Sequence, residues 1–450
     1  MTPPGARPDR VTLITAGYVV PVCPASGALA DHTVVISDDL IVDLLPAGQA
    51  ASQWPGADRV DLPGHVLLPG FINAHTHSPM NLLRGYADDM ELHVWLQEHI
   101  WPVEARYVNP GFVEDGTRLA VVEMLRSGTT CFNDMYFFPD ATIDVCHQAG
   151  MRVSAGITII EMESSWATDV DAYIEKGLRL SRRWRGDPLV SFTLSPHSPY
   201  TVSDGSLERI AGLSQENGFP VHIHLLETEW EIKHSLQQHE VHPITRLQRH
   251  GLLNERLMAV HMAQLNAEEV SRVAESGASV VHCPQSNLKL ASGFCPVAAL
   301  MEAGVNVALG TDGAAANNDL DMLGEAQTAA LLAKGVAGDA KAVNAFQALE
   351  MMTINGARAL GLEDRLGSIE AGKQADLVAL DLDQPETRPL HHVVSTLVYA
   401  ASSRQVTDVW VAGRRLLNSG ELTSIDMDEV MHSANRWQKR LAAFDTKGGN

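Results

Sequence analysis

The chain has 450 residues, 45% of them apolar and 20% charged, and a formal net charge of −22. That length holds one large domain plus a smaller one, and that acidity argues against nucleic acid as a partner, because phosphate is held by basic surfaces. Five cysteines, odd in number and without Cys-x-x-Cys spacing, indicate neither a disulfide framework nor a structural zinc site and leave a reducing cytoplasm as the default. The opening Met-Thr-Pro-Pro-Gly-Ala-Arg reads as having no apolar leader, and no run of the chain has the length of a membrane span.

Taken in order, Val11–Ile14, Thr33–Ile36, Leu40–Leu44 and His65–Leu68 read as short strands divided by Gly, Pro and Asp. The texture changes at Gly70. Eight β-rich apolar runs follow: Phe71–Ala74, Thr129–Asp134, Arg152–Ile159, Ser191–Pro196, Pro220–Leu225, Leu257–Met262, Ala278–Cys283 and Val305–Thr311. Stretches of helical period lie between them, among them Phe112–Ser127, Leu207–Asn217, Ala267–Ser276 and Pro296–Ala303. Eight strand–helix alternations predict an α/β fold with a (β/α)8 barrel. A doubly wound sheet is the competing layout, but no Gly-x-Gly-x-x-Gly turn follows the first strand. Short strands return at Asp376–Leu380 and Val406–Ala412, and residues 427–445 have helical period. The expected organisation is a small β-sandwich domain built from both chain ends (1–68 and 367–423), a barrel over 69–366, and a C-terminal helix and tail over 424–450, with Lys447-Gly-Gly-Asn a loose end.

Active-site groups of such a barrel sit at the C-terminal ends of its strands. Six of the eight predicted strands end in His or Asp there: His75-Thr-His77, His197, His222-Ile-His224, His261, His282 and Asp312. Side chains at i and i+2 of a strand share a face, so His75 and His77 present two imidazoles side by side. A lone strand-end His is more often hydrogen-bonded structure than a ligand, but six such ends are hard to explain as structure. Imidazoles with one carboxylate suit a catalytic Zn(II) with an open position, where water becomes a nucleophile at neutral pH. The ligand set read from the residues is His75, His77, His224 and Asp312, holding one ion per chain. His222 lies one step deeper, as core or as support. Glu227, three residues past His224, is placed to move protons, although a carboxylate at a helix N-terminus is its bland alternative. Asp312 can take a proton from the attacking water, and His261 can polarise it or stabilise developing charge.

Two motif-like runs are decoys. Gly367-x4-Gly372-Lys373 lacks the Ser or Thr of a phosphate loop, and His239-Glu-Val-His242 is one residue short of a zincin pair. The His-x-Glu and Pro-Cys-x-x-Cys runs of the small zinc deaminases are missing too.

The His-x-His after strand one, His224-x-x-Glu227, His261, the His282-Cys-Pro-x-Ser-Asn287 run and Thr311-Asp312-Gly313 together resemble the amidohydrolase superfamily, in particular its mononuclear aminohydrolase branch. The likeness covers nearly the whole chain, including Gly367–Val378 as the return to the small sheet. Within that branch His75-Thr-His-Ser-Pro-Met-Asn-Leu-Leu-Arg-Gly-Tyr-Ala-Asp-Asp, Trp95-Leu-Gln-Glu, Trp101-Pro-Val-Glu104, Asp134-Met-Tyr136 and Ser195-Pro-His197-Ser-Pro-Tyr are similar to the family of methylthioadenosine and S-adenosylhomocysteine deaminases. The resemblance implies zinc-dependent hydrolytic deamination of an adenine nucleoside thioether to its inosine analogue. It implies that Trp95, Glu104 and His197 line the nucleoside pocket, with Glu104 on the ribose hydroxyls, and that His282 and Asn287 support the ligands from behind. Composition alone reads Trp95 as core and Glu104 as surface. Binuclear relatives bridge their metals with a modified Lys on strand four, and Ser191-Phe-Thr-Leu-Ser-Pro has none. The expected partner is a free nucleoside, with no nucleic acid and no membrane, in a homo-oligomer.

Triazine dechlorination needs no acid for an amine leaving group, so Glu227 favours deamination over it, and guanine, 8-oxoguanine or aminotriazine deamination is the nearer rival, separable by a substrate screen. A non-catalytic scaffold is the distant alternative. The stretch after strand three, Gly156–Trp166, has no basic residue and two acidic ones, Glu161 and Glu163. Met162, Trp166, Phe137 and Phe138 are expected to cover a small thioether rather than to receive a carboxylate.

Overall fold

The structure, a computed structural model, describes residues 11–24 and 27–448. The reading of the first seven residues as leader-free therefore lies outside the described residues.

Eight parallel strands form the barrel in sequential order: Phe71–Thr76, Thr129–Asp134, Arg152–Ile159, Val190–Pro196, Val221–Leu225, Leu257–His261, Ser279–His282 and Val307–Leu309. Nearly every residue in them is buried. Strands covered on both faces need continuous apolar runs, and these runs made them visible in the sequence. The eighth strand is shorter than Val305–Thr311. The chain leaves the ladder at Gly310 and turns Asp312 into a left-handed conformation (φ 63°). There the Asp312 N–H donates to the His75 carbonyl (3.0 Å), and Asn73 holds Thr311 through its side-chain oxygen (3.0 Å) and amide (2.7 Å). These bonds close strand eight onto strand one. Gly310 permits the approach, since a Cβ there would lie 2.7 Å from that of His75.

A second eight-stranded sheet gathers both chain ends. Val11–Val19, Leu29–Ser37, Leu40–Pro46 and Asp58–Pro69 come from the N-terminal side, and Leu377–Asp381, Val406–Val411, Arg414–Asn418 and Glu421–Leu422 from the C-terminal side. Asp58–Pro69 is three times the length expected from His65–Leu68, and it pairs antiparallel with Leu377–Asp381 (Leu67 opposite Ala379). Only Gly70 separates this strand from the first barrel strand, where any Cβ would meet the Thr130 side chain at 2.2 Å.

Expected helices appear as Pro110–Arg126, Asp204–Asn217, Ala267–Ser276 and Val297–Glu302. The helix Met322–Ala337 escaped the sequence reading because its alanine-rich face carries little apolar contrast. The final helix runs Met427–Gly448, so Lys447 and Gly448 belong to it rather than to a loose tail, and Gly449 and Asn450 lie outside the described residues. Of the decoys, His239 ends one helix and His242 caps the next. No helix among the described residues is long and apolar enough to cross a membrane.

Candidate active site

Strand alternation brings His75 into the barrel mouth, and the turn beyond it carries His77. Asp134, at the end of strand two, holds that turn by accepting from Ser78 N–H (2.6 Å) and Thr76 Oγ1 (3.1 Å). His224 comes from strand five, His261 from strand six and Asp312 from beyond strand eight. Four residues at these strand ends, Leu226, His261, Met262 and Asp312, have positive φ without being glycine (49°, 72°, 49° and 63°). Strained backbone of this kind persists where surrounding structure over-determines it.

The histidines share one orientation. His77 Nδ1 donates to the Met135 carbonyl (2.6 Å) and His224 Nδ1 to the His197 carbonyl (2.7 Å). His261 Nδ1 donates to Asn287 Oδ1 (2.9 Å), and His75 Nδ1 meets His222 Nε2 at 3.0 Å. With each Nδ1 engaged from behind, each Nε2 faces the centre, the arrangement by which outer partners fix a metal-binding tautomer. His75 Nε2 is buried and makes no hydrogen bond. It lies 3.4 Å from Asp312 Oδ1, and His77 Nε2 lies 3.3 Å from the same oxygen. The donor atoms of His75, His77 and Asp312 lie within 4.8 Å of one another, as do those of His75, His224 and His261.

Burial lowers the basicity of His75 to about 4 and of His224 well below the usual range. Their nitrogens are therefore neutral and free to ligate at physiological pH. Burial also opposes charge on Asp312, but the His75 and His77 imidazoles beside it hold it far below the carboxylate range. Ser286 donates to its second oxygen, Oδ2 (2.7 Å). A buried imidazole nitrogen with no protein partner, beside further inward-facing imidazoles and one carboxylate, fits a divalent ion such as Zn(II).

Above this cluster opens a cavity of about 580 Å³, within the roughly 300–1,000 Å³ of small-molecule sites. Glu227 lines it, 7% exposed, with its carboxylate 3.8 Å from His261 Nε2 and Ser292 Oγ donating to it at 3.4 Å. Burial pushes the Glu227 carboxyl upward. Trp95, Glu104 and His197 all line the cavity. Trp95 Nε1 is spent on the Ala87 carbonyl (3.0 Å), leaving its ring as a wall, and Tyr136 donates to Glu104 Oε1 at 2.6 Å. Among the described residues no Lys or Arg lines the cavity.

Some expectations need correction. His282 is fully buried, both of its ring nitrogens lack partners, and it does not line the cavity, so it holds no ligand by a hydrogen bond. His222, whose role stood open between core and support, supports His75. Glu161 accepts from Ser203 N–H and Ser206 Oγ (2.9 and 2.7 Å) at the start of a helix and does not reach the cavity, whereas Glu163 and Met162 do. Trp166 packs on Tyr173 and, like Phe138, stands behind the wall that Phe137 forms. Sequence reading missed Ser286, Ser292 and the Met135 carbonyl. Ser286 was legible inside the His282–Asn287 run, but a carbonyl leaves no trace in residue type.

Fold and site define a barrel hydrolase organised around a metal centre. The chain belongs to the amidohydrolase family, whose description matches residues 66–416. It is 49% identical to a protein of Teredinibacter turnerae named 5-methylthioadenosine/S-adenosylhomocysteine deaminase, over 96% of this chain and 97% of that protein. Among solved structures, an adenosine deaminase from Xanthomonas campestris with bound zinc is 52% identical, covering 96% of this chain and 98% of that one, with a TM-score of 0.95. A triazine hydrolase variant (TM-score 0.90, 22% identity, 95% and 99% covered) shares the fold.

Proposed function

We propose that the protein is a zinc-dependent aminohydrolase of adenine nucleosides, with 5′-methylthioadenosine as the favoured substrate. The observation that carries this reading is the buried, protonatable Glu227 between the inward-facing histidine cluster and an aromatic-walled cavity. The relatives named above support it.

His75, His77, His224 and Asp312 would hold one zinc ion, which when bound supplies a Lewis acid and a water of pKa about 7. The donor atom of His261 lies near the same centre, and we keep it as a group that orients the attacking water, with Asn287 fixing its tautomer. Asp312, whose neighbours favour its charged form, would accept a proton from the attacking water. Glu227, whose carboxyl burial shifts toward the protonated form, would deliver a proton to the ring nitrogen beside the amine-bearing carbon, so attack there builds no full ring anion. Proton return to the amine lets ammonia leave. Glu104, with Tyr136 on one oxygen, has the other for ribose hydroxyls, and His197 and Trp95 bound the nucleoside. In our reading the enzyme is a cytoplasmic homo-oligomer with no nucleic-acid or membrane partner. Five unpaired cysteines support that compartment.

An ammonia-release screen across methylthioadenosine, S-adenosylhomocysteine, adenosine, guanine and aminotriazines tests the reading. We expect the adenine nucleosides to lead. Turnover confined to guanine or a triazine would refute it.

A further inference from the structure

We infer that Glu231 is a positioning residue for Glu227, holding the backbone of the proton-transfer residue through its own carboxylate. The inference rests on the function proposed above and deepens it.

Thr228-Glu-Trp-Glu231 reads as a capping box, in which the N3 carboxylate reaches back to the N–H of the N-cap. Elsewhere in the chain the same signature closes that way. Glu269 accepts from Asn266 N–H (2.8 Å) while Asn266 accepts from Glu269 N–H (3.1 Å), and Gln347 accepts from Asn344 N–H (2.8 Å). At the helix Glu229–His239 only half of the box is present. The Thr228 hydroxyl accepts from Glu231 N–H (3.4 Å), but the Glu231 carboxylate passes the N-cap and takes Leu226 N–H (2.9 Å) and Glu227 N–H (3.1 Å).

Those two N–H groups belong to the segment that turns from strand five over the metal cluster. Leu226 there is fully buried with φ 49°, a conformation a branched side chain adopts only when held. The Leu226 carbonyl is tied in turn to Gln264 N–H (3.0 Å). Glu231 is 2% exposed. Burial pushes it up to about 8, the two N–H donors pull against that, and the charge of Glu227 adds to the rise. A carboxylate buried at that cost for helix capping alone is hard to account for, since a smaller exposed side chain caps as well. What its length and depth add is a fixed backbone beneath Glu227, and a displacement of about 1 Å in such a group costs roughly 100-fold in rate.

The test is a double-mutant cycle on full-length, zinc-loaded protein with methylthioadenosine. Glu231→Gln keeps size but turns an amide N–H₂ toward one of the two donors. We expect it to lower kcat by about 10–100-fold, with KM within about threefold of the parent and zinc content unchanged. Added to Glu227→Gln it should cost nothing further, because its effect runs through Glu227. Glu231→Ala should behave alike. A harmless Glu227→Gln would refute the proposed function itself. A damaging Glu227→Gln beside a Glu231→Gln within about twofold of the parent would overturn this inference alone. So would an equal penalty in both backgrounds, or loss of zinc or of folded protein in both Glu231 variants, which would make Glu231 a prop of the barrel rim.

Discussion

Glu227 and Asp312 are both buried carboxylates, and their surroundings push them apart. Asp312 faces two imidazole nitrogens and a serine hydroxyl, so its charge is compensated. Glu227 has one long bond from Ser292 and an imidazole nitrogen at 3.8 Å, so burial dominates and favours the proton. A pair of acids separated in this way divides into a proton donor and a charged acceptor. Glu227→Gln keeps the shape and removes the transferable proton. Turnover of methylthioadenosine should fall by at least about 10²–10⁴-fold, the range of general acid–base catalysis, with zinc content unchanged by metal analysis. Near-normal turnover would mean that another group carries the proton. At this scale the site was legible where chemistry resides in residue type and spacing: His75, His77, His224, Glu227, His261 and Asp312. It was illegible where backbone carbonyls or a rerouted cap do the holding, as with Met135 and Glu231.

At the scale of elements, the barrel strands were readable because double burial leaves uninterrupted apolar runs. The loops were not, because a loop's aim depends on which side chains it spends on itself. The segment after strand three shows this. Its two acids look equivalent in sequence, yet Glu161 is consumed at the start of Asp204–Asn217 while Glu163 reaches the cavity. Arg152, the cation nearest in sequence, is committed to Asp376 at the far end of its strand. An anionic tail on the substrate would therefore meet Glu163 and no counter-charge. Like charges at partly exposed separation cost roughly 1–4 kcal/mol, and each 1.4 is about tenfold. kcat/KM for methylthioadenosine should exceed that for S-adenosylhomocysteine by at least about tenfold. Equal or reversed constants, measured side by side, would show that a cation reaches the tail in the complex. Glu163→Gln should narrow the gap.

Over the whole molecule, the second sheet is tied to the barrel near the starts of barrel strands, with Gly70 N–H donating to the Asp376 carbonyl (2.9 Å) just before strand one. Arg152, 2% exposed on strand three, forks onto both oxygens of Asp376 (3.0 and 2.9 Å), and Asp376 also accepts Ala412 N–H (2.8 Å). The pair joins barrel to second sheet far from the site. Its removal should act on stability and spare chemistry. Asp376→Ala strands a buried guanidinium, a loss of roughly 3–5 kcal/mol, read by denaturant unfolding, with kcat of the folded fraction near the parent's. A loss below about 1 kcal/mol, the scale of exposed pairs, would show that water relieves the arginine. The sequence announced two β-rich chain ends returning to one region, but not this clasp, since Arg152 and Asp376 are remote in the chain and neither belongs to a motif. The central claim, that the inward-facing histidine cluster holds the one ion on which adenine-nucleoside deamination depends, is tested most directly by ammonia release from methylthioadenosine before chelation, after it, and after zinc is restored. The account predicts one ammonia per nucleoside consumed, activity lost with the metal, and recovery that saturates at one zinc per chain. Undiminished ammonia release from metal-free protein, or recovery only at two ions per chain, would contradict it.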